Sequence, residues 1–368
     1  MQRFLRLGQT YMPPAWITPP ANGANSRETS YNHLHSTLLP LVKDHLATIY
    51  KLLKPDSIQQ ETEAKLRRVL EIQKELDHNM LQIYHSFHVI CPESLSTSSE
   101  TDDQHLKQFK VYRLLGLQKK LQSALQMICH LFGTASGYID GSRDSTGEFF
   151  DNGAVHWSFM CRARSVEISL RFAIEHLKGS ELTIVEASVD DPVGKIYHLL
   201  QDSKMLVNPN VPRRRAGEDR LNHQPIIHLA RLAILPLRLS YIFFYKLSVF
   251  DTDTHKSLPL FTHMNSLELK ALCESAENIY ANHSIMLALI KKVDASFGNR
   301  PIDIQSITQT AKNIACNSEV PSHSLLRYLV PLVNNLKDRN YYQDWFVTWD
   351  ALMKTAIHNL VFESNLKD

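Results

Sequence analysis

Glycine is scarce: only 12 of the 368 residues are glycine, roughly half the usual frequency. Long stretches of Leu, Ile, Ala, Gln, Lys and Glu run without turn residues, and such stretches favour helix over sheet. A disulfide framework is excluded. The five cysteines (Cys91, Cys129, Cys161, Cys273, Cys316) are odd in number, widely spaced and form no CxxC pair, as expected of reduced thiols inside a cell. Neither charge sign dominates, since 40 basic and 38 acidic residues leave a net charge of +2. No global field therefore draws the chain to nucleic acid or to an anionic membrane. The N-terminus lacks the apolar core of a secretory signal, because Arg3, Arg6, Gly8 and Gln9 fall where it would lie. The expected setting is intracellular, cytoplasmic or nuclear.

Chemical motifs are missing too. There is no GxSxG, HExxH, GxGxxG or GxxxxGK[ST] pattern, and Val193-Gly194-Lys195 has none of the other parts of a phosphate loop. No catalytic residue, cofactor or metal site is assigned. His85, His88 and Cys91 in HSFHVIC stand at steps of three on a predicted helix and supply at most three of the four ligands a closed zinc site needs. Asp140, Asp144, Glu148 and Asp151 suggest a calcium loop, but Ser145 stands where the EF-hand turn needs glycine and Asp151 replaces its bidentate glutamate. Arg213, Arg214 and Arg215, with Arg220 nearby, lie beside Glu218 and Asp219 without interleaved aromatics, so a solvated connector is expected rather than a nucleic-acid surface.

What is present is helical periodicity. The most apolar run is Pro225 to Phe250, whose apolar residues occur on almost all sides, the pattern of a helix surrounded by others. Arg231, Arg238 and Lys246 interrupt it, which speaks against a transmembrane span. Pro236 is expected to bend or divide it. Upstream, Leu66, Val69, Ile72, Leu76, Met80, Ile83 and Phe87 step by threes and fours, predicting a long amphipathic helix. Further helices are predicted for 31–53, with Pro40 as an interruption, for 105–132, where Gly133 begins a break, and for 155–178 and 193–206. Asn265-Ser266 with Glu268 should open another, running to about Phe297. Three shorter helices are expected near 302–316, 322–336 and 341–362, with Pro321 separating the first two. Trp345, Trp349, Leu352, Ala356 and Leu360 share one face of the last, and that face is expected to dock on a bundle.

These readings predict an all-α protein of roughly eight to ten helices in antiparallel bundles, two halves sharing the central apolar helix. The expected organisation is a Pro-rich tail 1–30, a bundle 31–178, a connector 179–224 with a short helix, and a second bundle 225–368. Around NYYQDWFVTWDALMKTAIHN the C-terminal third resembles an all-helical family abundant in rust fungi. That family supplies no activity and no catalytic positions to map, and members acting in a host would need a secretion signal. The function expected is a non-enzymatic interaction or scaffold protein with a protein partner and no nucleic-acid or membrane contact. The alternative is an enzyme or small-molecule binder assembled from distant helices, with His85, His88 and the arginines of the apolar run as candidates. Arg231 and Arg238 lie two helical turns apart, and the expectation is a buried pair with acidic counter-ions from another helix. An open groove receiving an acidic partner is the other possibility.

Overall fold

The computed structural model describes residues 24–54, 62–91, 100–141, 153–208, 220–248, 258–297 and 304–365. Among them the regular structure is all helix, with no strand. The chain divides into two compact units, Met1–Gly179 and Ser180–Asp368.

In the first unit, α1 (Ala24–His33) begins inside the stretch expected to be a tail, and residues 1–23 lie outside the described residues. It continues through a π-helical turn, Leu34–Leu38, into α2 (Leu39–Leu52). Pro40 explains the turn. Proline has no N–H and its ring crowds the carbonyl four residues back, so the chain widens and the Leu39 amide donates to Leu34 instead. The expected interruption is therefore a widened turn inside a continuing helix.

α3 (Thr62–Ile90) buries Val69, Ile72, Leu76, Met80, Ile83 and Phe87, as its spacing predicts. It packs on α1 and α2, while α2 also meets α5 (Gly153–Lys178), and α5 pairs with α4 (Val111–Gly141). One apolar core joins these helices, and each large side chain fully buried in it contributes about 1.5–3 kcal/mol. Both ends of α4 differ from expectation. Its start is set by Asp103, whose carboxylate accepts the Val111 amide at 2.7 Å, and the preceding residues Gln104–Phe109 form a 3-10 turn. At the other end the helix runs on through Gly133, because Leu131, Phe132, Ala135 and Tyr138 remain buried against the core. Gly133 and Gly137 face open space, and the roughly 1 kcal/mol that each glycine costs a helix is outweighed by those neighbours.

The second unit opens with α6 (Glu181–Val207), capped by Ser180, whose hydroxyl accepts the Thr183 amide at 3.1 Å. The expectation of a connector over 179–224 is thereby corrected. α6 is an integral helix whose Leu182, Val185, Val189, Ile196 and Leu200 are buried, and it packs on both α7 (Gln224–Ser248) and α8 (Ser266–Ala295). α8 begins with the capping box foreseen at Asn265 and Glu268. α9 (Ile304–Ser324) passes through Pro321 without a break, followed by a π-helical turn, Leu325–Leu329, a 3-10 turn, Val330–Leu332, and α10 (Leu336–Asn365). Two helices thus stand where three were expected. The second π turn again precedes a proline, Pro331, for the reason given at Pro40.

The five helices close a ring in the order α6, α7, α10, α9, α8 and back to α6, with α7 and α8 also touching across it. α7 continues through Pro236 as one helix. Its buried residues, from Ile226 through Leu229, Ala233, Leu237 and Phe244 to Leu247, recur at helical spacing and mark one broad side. Enclosure on all sides, expected from the sequence, is not what the fold provides. Among the described residues α7 is the one helix long and apolar enough to cross a membrane, and a little under half of its most apolar stretch is buried. The core helix of a bundle meets the same criterion.

Candidate functional site

α7 has three neighbours in its unit, and their contacts locate its free side. α10 runs antiparallel to it. Trp349 Nε1 donates to the Leu239 carbonyl at 2.9 Å, Phe243 lies 4.3 Å from the Trp349 ring, and Lys246 sits 5.2 Å over Tyr341. Near the other end of α7, His228 lies 3.8 Å from Glu363. On the α6 side, Tyr241 meets Tyr197 at 5.6 Å between ring centroids and stacks on Tyr245 at 5.7 Å.

The arc left between these flanks carries Arg231, Leu235, Arg238, Ile242 and Tyr245, spaced by four and three so that they form one stripe. Leu235 is 45% exposed, Ile242 40% and Tyr245 50%. Arg231 and Arg238 are exposed as well, and neither forms an ion pair with a described residue. The expected buried pairing is corrected: the arginines are the polar members of an outward face. On α10, Trp345 and Glu363 point to the α7 flank, and helical spacing puts Leu352, 52% exposed, beside them. Leu352 therefore leaves the docked set expected for α10, whereas Phe346, Trp349, Met353, Ala356 and Leu360 are buried. The surface combines apolar area with two positive charges about 10.5 Å apart along the axis.

The other residues singled out from the sequence do not converge. His85 is exposed. His88 is buried against Tyr84 at 4.4 Å, and the Cys91 thiol donates to the Leu114 carbonyl, its pKa pushed up to about 12 by burial. Among the described residues, no three His, Cys, Asp or Glu side chains gather as a metal set. Asp140 falls on the last turn of α4, while Asp144, Glu148, Asp151 and Arg213 to Arg215 lie outside the described residues. Lys195 sits within α6 and pairs with Asp191 at 2.7 Å and Glu277 at 3.1 Å.

Among the described residues, polar groups that the sequence did not single out form several buried nodes, of which three bear on the helix termini and on possible chemistry. In the first unit, Arg113 of α4 is the largest fully buried side chain and donates to the carbonyls of His176 at 3.4 Å and Gly179 at 3.0 Å. It thus closes the C-terminal end of α5, where a cation complements the helix dipole. His176 Nε2 donates back to the Arg113 carbonyl at 2.9 Å, and burial holds this imidazole neutral, its pKa lowered to about 4.

In the second unit, the buried Asp294 carboxylate at the end of α8 accepts the amides of Asn222 at 2.9 Å and His223 at 3.0 Å. It supplies from another helix the anion that the start of α7 favours. The third node pairs Ser240 with His283 at 3.1 Å. This is not an activated nucleophile, since Ser240 Oγ gives its own proton to the Pro236 carbonyl at 2.9 Å. His283 is fully enclosed and neutral, burial lowering its pKa to about 3.

Two family models match the chain, one on each compact unit. Residues 27–178 match Domain of unknown function (DUF8723), and residues 180–361 match Domain of unknown function (DUF8721). The two matches meet at Gly179, where the units also divide. No curated protein and no solved structure matches the chain.

Proposed function

We propose that this is a non-enzymatic interaction protein, and that the outward face of α7 receives an acidic amphipathic helix of a protein partner. The observation that carries the reading is that the most apolar helix among the described residues leaves Leu235, Ile242 and Tyr245 exposed in one stripe with Arg231 and Arg238, whose guanidiniums form no ion pair with a described residue. Exposed apolar stripes with polar rims mark docking surfaces, and a partner helix reads such a stripe through side chains at the same spacing. Its carboxylates belong about two turns apart, matching the arginines, with apolar residues between them. A second copy of this chain fits poorly. α7 contains no Asp or Glu, so pairing through the same face gathers four guanidiniums with no carboxylate supplied by either α7. The non-enzymatic part of the reading is supported by the ionisable groups that do come together: Arg113, His176 and Asp294 are each engaged in hydrogen bonds that tie one segment to another, and the buried Glu181 carboxylate accepts the Thr262 amide at 2.9 Å and its hydroxyl at 2.6 Å. Five unpaired cysteines support an intracellular setting.

The test is the double substitution Arg231→Glu/Arg238→Glu. Both side chains are exposed, so thermal melting should match wild type within about 0.5 kcal/mol. A synthetic amphipathic helical peptide with glutamates two turns apart and leucines between them should bind wild type, weaken as salt rises, and lose at least about tenfold in affinity for the variant. Equal binding to both proteins, no binding to wild type, or binding of anionic vesicles in place of the peptide would each refute the proposal. In co-purification from the protein's own cells, a partner retained equally by the variant would count against this face.

A further inference from the structure

In the first unit, α2 and α5 run antiparallel and are tied at two points. Lys43 Nζ lies 3.7 Å from Glu167, and two turns along α2 the Tyr50 hydroxyl donates to Met160 Sδ. The ties have the same register, so the residues between them face one another across the gap: Leu46 and Ala47 on one helix, Ala163 and Arg164 on the other. Seven residues of helix put the ties about 10.5 Å apart.

Ala47 and Ala163 are too short to fill the space, and a cleft of about 480 Å3 remains. That is the size of a small-molecule site, about 300–1,000 Å3. Its floor is formed by Leu46, Leu131, Val166 and Leu170, none more than 6% exposed. Its rim carries Lys43, Arg164 and Arg171 against a single acid, Glu167. Glu167 is engaged by Lys43, and Arg171 lies 3.7 Å from Glu175. Arg164 is exposed and forms no ion pair with a described residue.

We propose that this cleft binds an aliphatic carboxylate, with the hydrocarbon chain along the gap between Ala47 and Ala163 and the carboxylate on Arg164. The site lies in the other unit from the α7 face and rests on separate observations. An apolar floor under a cationic rim complements an amphipathic anion, and a guanidinium with no ion pair among the described residues matches one carboxylate, which such a group can meet with two parallel hydrogen bonds. A helix of a protein partner does not fit. The Lys43–Glu167 and Tyr50–Met160 contacts bridge the gap about two turns apart, so a helix laid along it would have to break them.

Calorimetric titration of the full chain with decanoate tests the site, with 1-decanol as the neutral comparison. Decanoate should bind saturably at one per chain and at least about tenfold more tightly than decanol, a tenfold ratio being about 1.4 kcal/mol. Arg164→Gln, a change at an exposed position, should lower decanoate affinity by a similar factor without changing the melting temperature. Ala163→Leu fills the gap and should abolish binding while the protein melts at or above the wild-type temperature; Ala47→Leu does the same from the opposite wall. Four results would overturn the proposal: no saturable binding of decanoate, equal binding of decanol, undiminished affinity in Arg164→Gln, or undiminished affinity in both leucine variants. Binding to phosphatidylserine vesicles that survives Ala163→Leu would assign lipid contact to another surface and overturn it as well.

Discussion

A methyl group on Gly116 places two opposing effects in one experiment. Gly116 lies inside α4, and alanine there should gain about 1 kcal/mol of helix propensity. The added Cβ would, however, stand 2.8 Å from His176 Cε1 and 3.0 Å from Nε2. The ring cannot swing aside cheaply, because it is 8% exposed and its Nε2 donates to the Arg113 carbonyl at 2.9 Å. Overpacking a core site costs about 1–3 kcal/mol, and the displaced hydrogen bond adds about 1 kcal/mol. Gly116→Ala should therefore destabilise the first unit by about 1–3 kcal/mol after the propensity gain is subtracted. In a His176→Ala background the obstacle is gone, and the same substitution should instead stabilise by about 0.5–1 kcal/mol. Native-state hydrogen exchange at the amides of α4 and α5 reads the effect within this unit. The sign reversal is the decisive result. A stabilising Gly116→Ala in wild type, or an effect of the same sign in both backgrounds, would refute the packing argument.

Acid should weaken both units through their buried imidazoles. His176 and His283 are held neutral, at about 4 and about 3 against an ordinary 6.5, so the unfolded chain takes up these protons first and stability falls as pH drops below about 6.5; His176→Gln should flatten that slope for the first unit down to about pH 4, as followed by urea unfolding. Asp294→Ala strips the acceptor from the Asn222 and His223 amides and should cost the second unit about 2–4 kcal/mol in the same assay. Trp349→Phe keeps an aromatic ring beside Phe243 but loses the bond to the Leu239 carbonyl, an expected loss of about 1 kcal/mol, against about 3–5 kcal/mol for Trp349→Ala. Zinc should leave the melting temperature unchanged in wild type and in His85→Ala alike; a saturable rise in wild type alone would revive a metal role for HSFHVIC.

The helices themselves were legible in the sequence. Periodic burial along α3 and the capping box at Asn265 and Glu268 are local properties, since side chains three and four apart share a face and a cap needs only its own neighbours. Proline and glycine misled wherever a helix had tertiary support. Gly133 did not end α4, nor Pro321 α9, because buried neighbours on packed helices outweigh a local penalty of about 1–3 kcal/mol. Residues 181–207 looked like part of a connector, yet α6 gains its stability from α7 and α8. Arg231 and Arg238 show the limit most directly. Their spacing determined that they share a side of α7, but which side is covered depends on where α6, α8 and α10 lie. The cleft beside Arg164 was likewise beyond sequence reading: Ala47 and Ala163 are ordinary helix residues until the antiparallel register of α2 and α5 sets them face to face. Periodicity and capping are written along one helix, whereas burial, pairing and empty space are properties of several helices together.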